Sequence, residues 1–269
     1  MKKSFPHELI RNALLVLLAT GVFAAGTARA EIQANALFSD NAVLQRGMIV
    51  PVWGAGDDGE TVTVTVAGET ARTVVRDGKW RVNLAPLSAG VPYTMTIAGD
   101  HNTITVHNVL VGEVWLCSGQ SNMEKQMSPR PPQPNINNWQ AEVAQANYPQ
   151  IRLINVATKY TGTPQENFTG TWTTCTPETA GAFSAVAYFF GRDLQEHTNV
   201  PIGLVTAYLG GTKIQSWTPL CAYEQTPELA PQLDWIQMKQ KVYRRDKALY
   251  VPEAAAWLPK AQAALAAGR

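Results

Sequence analysis

Residues Thr61-Val-Thr-Val-Thr-Val66 alternate without a break between apolar and polar β-branched side chains, and no other feature restricts the fold of this chain as strongly. A period of two places Val62, Val64 and Val66 on one face of a strand and the threonines on the other. Further short strands are expected at 49–53, 73–75, 80–84, 93–97 and 103–106, separated by Gly54-Ala-Gly56, Gly68, Asp77-Gly78, Ala89-Gly90 and Gly99-Asp100. Asp77-Gly78 between two such runs is a hairpin signal. Regular short strands with glycine-rich turns predict a small β-sandwich over residues 31–108.

From about Val109 the pattern changes. Compact apolar runs at 113–117, 151–156 and 202–207 are spaced by loops and helical stretches, as buried parallel strands should be. Phe183, Val186, Ala187, Phe190 and Leu194 share one helical face, and that pattern ends near Asn199-Val-Pro201. The alternation predicts a doubly wound α/β domain over 109–269, with ligands outside the carboxyl ends of its strands. Beyond Pro227 the tendency is helical: Leu229, Leu233, Ile236, Val242 and Leu249 form an apolar stripe, and the alanine-rich segment 254–267 is interrupted by Pro259. Three parallel strands make a small sheet. Either further strands escape the pattern or the chain is cut inside its domain.

The amino terminus sets the compartment. Lys2 and Lys3, the apolar run 13–25 and Ala28-Arg-Ala30 predict a secretory signal peptide over 1–30, cleaved after Ala30, and a periplasmic or secreted product. The run is short for a bilayer span, so no membrane anchor is expected after processing. Removing Lys2, Lys3, Arg11, Arg29 and Glu8 turns 22 basic against 21 acidic groups into 18 against 20, a balance of -2 that offers nucleic acid no attraction. Cys117, Cys175 and Cys221 have neither disulfide-framework nor zinc-ligand spacing, so neither metal nor cofactor is expected. Cys117 reads as a small buried hydrophobe at a strand end, and a Cys175–Cys221 bridge is left open.

The chemistry concentrates in Val114-Trp-Leu-Cys-Ser-Gly-Gln-Ser-Asn-Met123, where an apolar strand runs into a small polar turn carrying Ser121. A turn that opens into a helix presents free N–H groups, and acyl transfer needs an exposed hydroxyl beside such donors. The turn is not the α/β-hydrolase elbow, which has glycine two residues either side of the serine; here Gly119 is matched by Met123. Ser118 is a rival nucleophile on spacing alone.

Gly119-Gln-Ser-Asn-Met123 after Glu113-Val-Trp-Leu-Cys117 resembles the nucleophile block of the sialate O-acetylesterase family, a branch of the SGNH hydrolases. Pro201-Ile-Gly-Leu-Val205 with Gly210-Gly-Thr-Lys-Ile-Gln-Ser-Trp217 is similar to its second block, and Leu37-Phe-Ser-Asp-Asn41, Val43-Leu-Gln-Arg46 and Asp77-Gly-Lys-Trp80 look like its N-terminal β domain. The resemblance implies an N-terminal β-sandwich followed by a flavodoxin-like α/β/α SGNH domain. It also implies Ser121 as nucleophile, the N–H groups of Ser121, Gly211 and, second, Gly210 as oxyanion donors, and Gln120, Asn122, Thr212 and Trp217 as pocket residues. The family pattern continues with a Trp-Tyr-Gln-Gly-Glu block and an Asp-x-x-His block that supplies base and orienting carboxylate. Neither stands before Arg269, so the SGNH domain is expected to be C-terminally truncated and the chain as given inactive.

The histidines do not replace the missing base. His7 lies in the leader, His101 and His107 in the β portion, and His197 follows Asp193 by four residues, the spacing of a solvated helix end. Asn167-Phe-Thr169 reads as a coincidental glycosylation pattern, the proline-rich segment 129–134 as a stiff surface loop, and Trp139 and Trp172 as packing residues. The expected function is a secreted serine esterase removing O-acetyl groups from a sugar, with sialic acid the substrate the resemblance implies. The alternatives are an esterase for acetylated xylan and an inactive carbohydrate-binding fragment.

Overall fold

The alternating valines are buried as their spacing demands: Val62 and Val64 are 0% and Val66 1% exposed. The computed structural model describes residues 31–161 and 163–268; the signal peptide expected over 1–30 lies outside them. Its strands are β1 (Gln33–Ala34), β2 (Val43–Gln45), β3 (Val50–Ala55), β4 (Thr61–Val66), β5 (Glu69–Val74), β6 (Lys79–Leu84), β7 (Gly90–Ala98), β8 (Thr103–Gly119), β9 (Tyr148–Asn155), β10 (Thr173–Cys175) and β11 (Ile202–Tyr208). The helices are α1 (Ser121–Glu124), α2 (Trp139–Gln145), α3 (Pro177–Ala180), α4 (Ala185–Thr198), α5 (Leu220–Gln225) and α6 (Ala230–Ala266). The chain is mixed α/β.

Two sheets form. One has the order β1-β3-β6; the other runs β10-β9-β11-β8-β7-β4-β5, with β2 paired parallel to β8. Val52, Val82 and Leu84 of the smaller sheet share one core with Val62, Val64, Met95 and Ile97 of the larger. Each such side chain contributes roughly 1.5–3 kcal/mol on burial. A second cluster joins Ala42, Ile154, Trp172 and Val205.

Four sequence expectations need correcting. Asp77 and Gly78 do form a tight two-residue turn at φ 53° and 71°, with Arg76 and Lys79 exchanging backbone hydrogen bonds, but the flanking strands do not continue as a hairpin. β5 pairs with β4 and β6 with β3, so the turn carries the chain from one sheet to the other. Runs 103–106 and 113–117 are one strand, β8, because pairing with β7, β2 and β11 supplies its backbone with partners throughout. The boundary read at residue 108 falls inside it. β8 and β7 each carry a bulge: Tyr93 to Met95 on β7 faces Val109 to Val106 on β8, and Gly90 to Tyr93 faces Val111 to Val109.

The third correction concerns α4. Its buried residues are Ala185, Ala187, Tyr188 and Gly191, whereas Val186 is 49% and Phe190 38% exposed. A Cβ on Gly191 would stand 2.5 Å from Leu204 Cδ1, so the helix approaches the sheet closely at Gly191 and turns Val186 and Phe190 outward. Asn199 caps α4 in the left-handed conformation, where the pattern ended. Fourth, α6 runs through both Pro252 and Pro259 without interruption and fully buries no residue: the apolar stripe is half-buried at Leu229, Leu233 and Ile236 and exposed at Val242 and Leu249. Alanines beside the prolines have the highest helix propensity and offset part of the lost hydrogen bonds. β10, too short and polar to show in the sequence, adds an antiparallel strand beside β9.

The chain divides into two units, residues 31–118 with 125–207, and residues 119–124 with 208–268. Among the described residues, no helix is long and apolar enough to cross a membrane, and no three His, Cys, Asp or Glu side chains gather to hold a metal. All three cysteines are free, Cys117 and Cys175 buried and Cys221 exposed, so the bridge left open does not form.

Candidate active site

The turn after β8 needs glycine. Gly119 sits at φ 149°, a conformation side-chain-bearing residues rarely adopt, and this lets the strand end and α1 begin within two residues. Ser121 is the first residue of α1 and is exposed; Ser118, the rival, is the penultimate residue of β8. Upstream, β2 clamps β8. Gln45 Nε2 and Arg46 Nε donate to the Glu113 carboxylate at 2.9 and 2.7 Å, and Val114 N–H donates to Gln45 Oε1 at 2.8 Å. The hydrogen bonds from Gln45 and Arg46 hold the Glu113 carboxyl below its ordinary value. These three residues position the strand that leads to Ser121, and the sequence reading assigned them no such part.

The second unit gathers the remaining groups. The turn at Gly210 and Gly211 follows β11, and Leu209 N–H donates to Gly119 O at 3.1 Å, tying it to the serine turn. Gly210 N–H donates to Glu124 Oε2 at 2.8 Å, and a Cβ on Gly210 would lie 2.5 Å from that oxygen and 3.7 Å from Ser121 Cα. A side chain there would displace the Glu124 carboxylate. Thr212 Oγ1 donates to Leu209 O at 2.7 Å and accepts from Trp217 Nε1 at 2.9 Å, which fixes the loop that follows. Gly211, at φ 79°, has open space where a Cβ would stand.

The two donors read from the sequence are therefore not equivalent. Gly210 N–H already serves the Glu124 carboxylate, whereas Gly211 lines an open groove of about 640 Å³ with Thr212, Lys213, Gln215, Trp235 and Ile236. Lys213 is the one charged residue of that lining. Ser121 has a partner of its own: its Oγ donates to Gln120 Oε1 at 2.8 Å and its N–H donates to the same oxygen at 3.0 Å. One amide oxygen thus accepts from both groups of Ser121. Asn122 is exposed on α1.

The structure does not bring every singled-out residue to this turn. Residues 119–124 and 208–268 contain no histidine. His197 Nδ1 lies 2.8 Å from Asp193 O and 3.6 Å from Asp193 Oδ1 on an exposed helix end. The backbone carbonyl and the carboxylate of Asp193 raise its affinity for a proton, as at any solvated helix terminus. His107 N–H donates to Asp40 Oδ1 at 2.7 Å. Trp172 is buried with its indole N–H on Leu37 O, and Asn167 Oδ1 accepts from Ala36 and Phe168, so both are structural.

Residues 111–238 match the family described as carbohydrate esterase, sialic acid-specific acetylesterase. Human sialate O-acetylesterase is 34% identical over 187 residues, which cover 62% of this chain and 35% of the human protein. The mouse enzyme is 35% identical over 187 residues, covering 62% and 34% respectively. The chain thus spans about a third of the length of the curated relatives it matches. Among solved structures, a carbohydrate acetylesterase from Xanthomonas citri superposes with a TM-score of 0.67 at 35% identity, covering 73% of this chain and 44% of that one.

Proposed function

Residues 111–238 match the sialic acid-specific acetylesterase family of carbohydrate esterases, and from that premise we propose that Ser121 is the nucleophile of a secreted serine esterase that removes O-acetyl groups from sugars. The observation that carries the reading is the meeting of the Gly119–Glu124 turn with the Gly210-Gly211 turn, through Leu209 to Gly119 and Gly210 to Glu124. Ser121 Oγ attacks the acetyl carbonyl carbon, the imidazole that the family's Asp-x-x-His block supplies takes its proton, and the carbonyl π pair moves onto oxygen. The N–H groups of Ser121 and Gly211 meet that charge. Gln120 Oε1 first turns aside from the serine N–H that it holds. Collapse breaks the bond to the sugar oxygen, which takes the proton and leaves as the alcohol. Water then hydrolyses the acetyl-enzyme to acetate.

In this reading Glu124 holds Gly210 so that the next N–H, that of Gly211, faces the groove. Oxyanion donors of this kind are each worth roughly 100- to 1,000-fold in rate. Lys213 supports an acidic sugar, a sialate, over neutral acetylated xylan, because the groove offers its cation to a carboxylate. The proposed architecture is an N-terminal β-sandwich feeding an SGNH-type α/β/α layer, and the proposed location is the periplasm or beyond, resting on the leader of residues 1–30.

One observation favours a second reading, retention of acetylated sugar without turnover: the partner of Ser121 Oγ is an amide oxygen, which cannot take its proton. A single experiment separates the two. The protein is assayed on 4-nitrophenyl acetate and an O-acetyl sialic acid, and labelled with a fluorophosphonate, beside Ser121→Ala. Labelling and turnover that vanish in Ser121→Ala are expected of a product that also carries the Asp-x-x-His block; a variant that keeps the parent rate would sink the assignment. Sugar binding without labelling supports retention instead.

A further inference from the structure

Arg152, in β9, is 4% exposed, yet among the described residues no carboxylate pairs with it. Nη1 donates to Thr174 Oγ1 at 2.5 Å and, weakly, to Asn41 Oδ1 at 3.5 Å; Nη2 donates to Asn108 Oδ1 at 3.3 Å. Every one of these acceptors is neutral. Nε is buried and has no acceptor. Desolvation pulls the guanidinium below the usual arginine range, as expected for a cation taken from water without a counter-charge. A buried charge is ordinarily paired, and the cost of leaving one unpaired is several kcal/mol.

The arginine lines a cavity of about 650 Å³ in the first unit. Asn108, Gln150, Thr174 and Asn199 line it too, with Pro149 and Pro201, and the lining contains no acidic residue. We propose that this cavity is a binding site for a small monocarboxylate, received by the Arg152 guanidinium. The planar edge of a guanidinium presents two parallel N–H donors at the spacing of two carboxylate oxygens. One negative charge balances the single cation of the lining. A sulfate or phosphate dianion leaves a charge uncompensated there. The site is independent of the Ser121 turn and of the reaction proposed for it.

The test is a calorimetric titration of the protein with sodium acetate at constant ionic strength, with sodium sulfate and sodium chloride as comparison arms. Saturable acetate binding is expected, with neither sulfate nor chloride competing. Arg152→Met should abolish it. Because that variant removes a buried cation from the core, Asn108→Asp carries the test on its own: a carboxylate built beside Nη2 neutralises the arginine and should weaken acetate by about tenfold or more, the worth of a charged hydrogen bond. Acetate held at the Ser121 turn would bind Asn108→Asp as well as the parent, and that result overturns the proposal. So does the absence of saturable acetate binding, or competition by sulfate at equal strength.

Discussion

Strand β4 and helix α6 both carry a regular apolar pattern, and only one of them buries it. Val62, Val64 and Val66 are at most 1% exposed, while Leu249 on the helix stripe is 63% exposed and no residue of α6 is buried. A period shows which side chains share a face. Whether that face is covered depends on a second surface, and the valines find theirs in the strands of the smaller sheet. The same contrast separates the thiols: Cys117 and Cys175 lie in buried strand ends, Cys221 on an exposed helix.

The hardest test of this contrast lies in the buried half. Trp172→Ala removes a side chain 1% exposed together with its hydrogen bond to Leu37 O, and should cost about 3–5 kcal/mol in urea unfolding. A loss of a few tenths would mean that this cluster is not the core it looks to be. A smaller effect follows from the thiols. Burial pushes the Cys117 thiol up to about 11 and the Cys175 thiol to about 12 from an ordinary value of 9.0. Both thiols stay protonated in the folded chain while the unfolded chain ionises, so the stability they contribute is whole below pH 9 and falls as pH rises through 9 to about 11–12. Cys117→Ala should flatten that fall when unfolding is followed from pH 8 upward. In the native protein iodoacetamide should reach Cys221 first, and equal labelling of all three cysteines would erase the contrast. The smallest change is expected on α6, where Leu249→Ser should move stability by no more than about 0.5 kcal/mol. A larger loss would show that the stripe is covered in solution.

Strands were legible wherever one face is buried, because alternation then records the core directly, as in β4 and β6. The face of α4 was not, since hydrophobicity ranks Val186 and Phe190 above Ala187 and Gly191, and close approach to Leu204 reverses that order. Around Ser121, the residue types in the two glycine-bearing turns were visible as motifs. Their supports were not: Glu124 reaches Gly210 across 86 positions and Gln45 reaches Glu113 across 68. No local pattern encodes contacts of that separation. Arg152 stayed invisible for the same reason, as an arginine in a strand reads as an outward-facing residue until its burial is seen.

The two bulges between β7 and β8 act as a vernier. Gly90 pairs with Val111 and Met95 with Val106, so the extra residue on β7 cancels the extra residue on β8, and the ladder leaves the pair of bulges in the phase in which it entered. Past them, Cys117 points inward at 7% exposure and Leu116 outward at 68%. On β8 the extra residue lets Val106, Val109 and Val111 face one core across a step of three. The phase in which β8 continues past β7 is thus set by a pair of compensating irregularities.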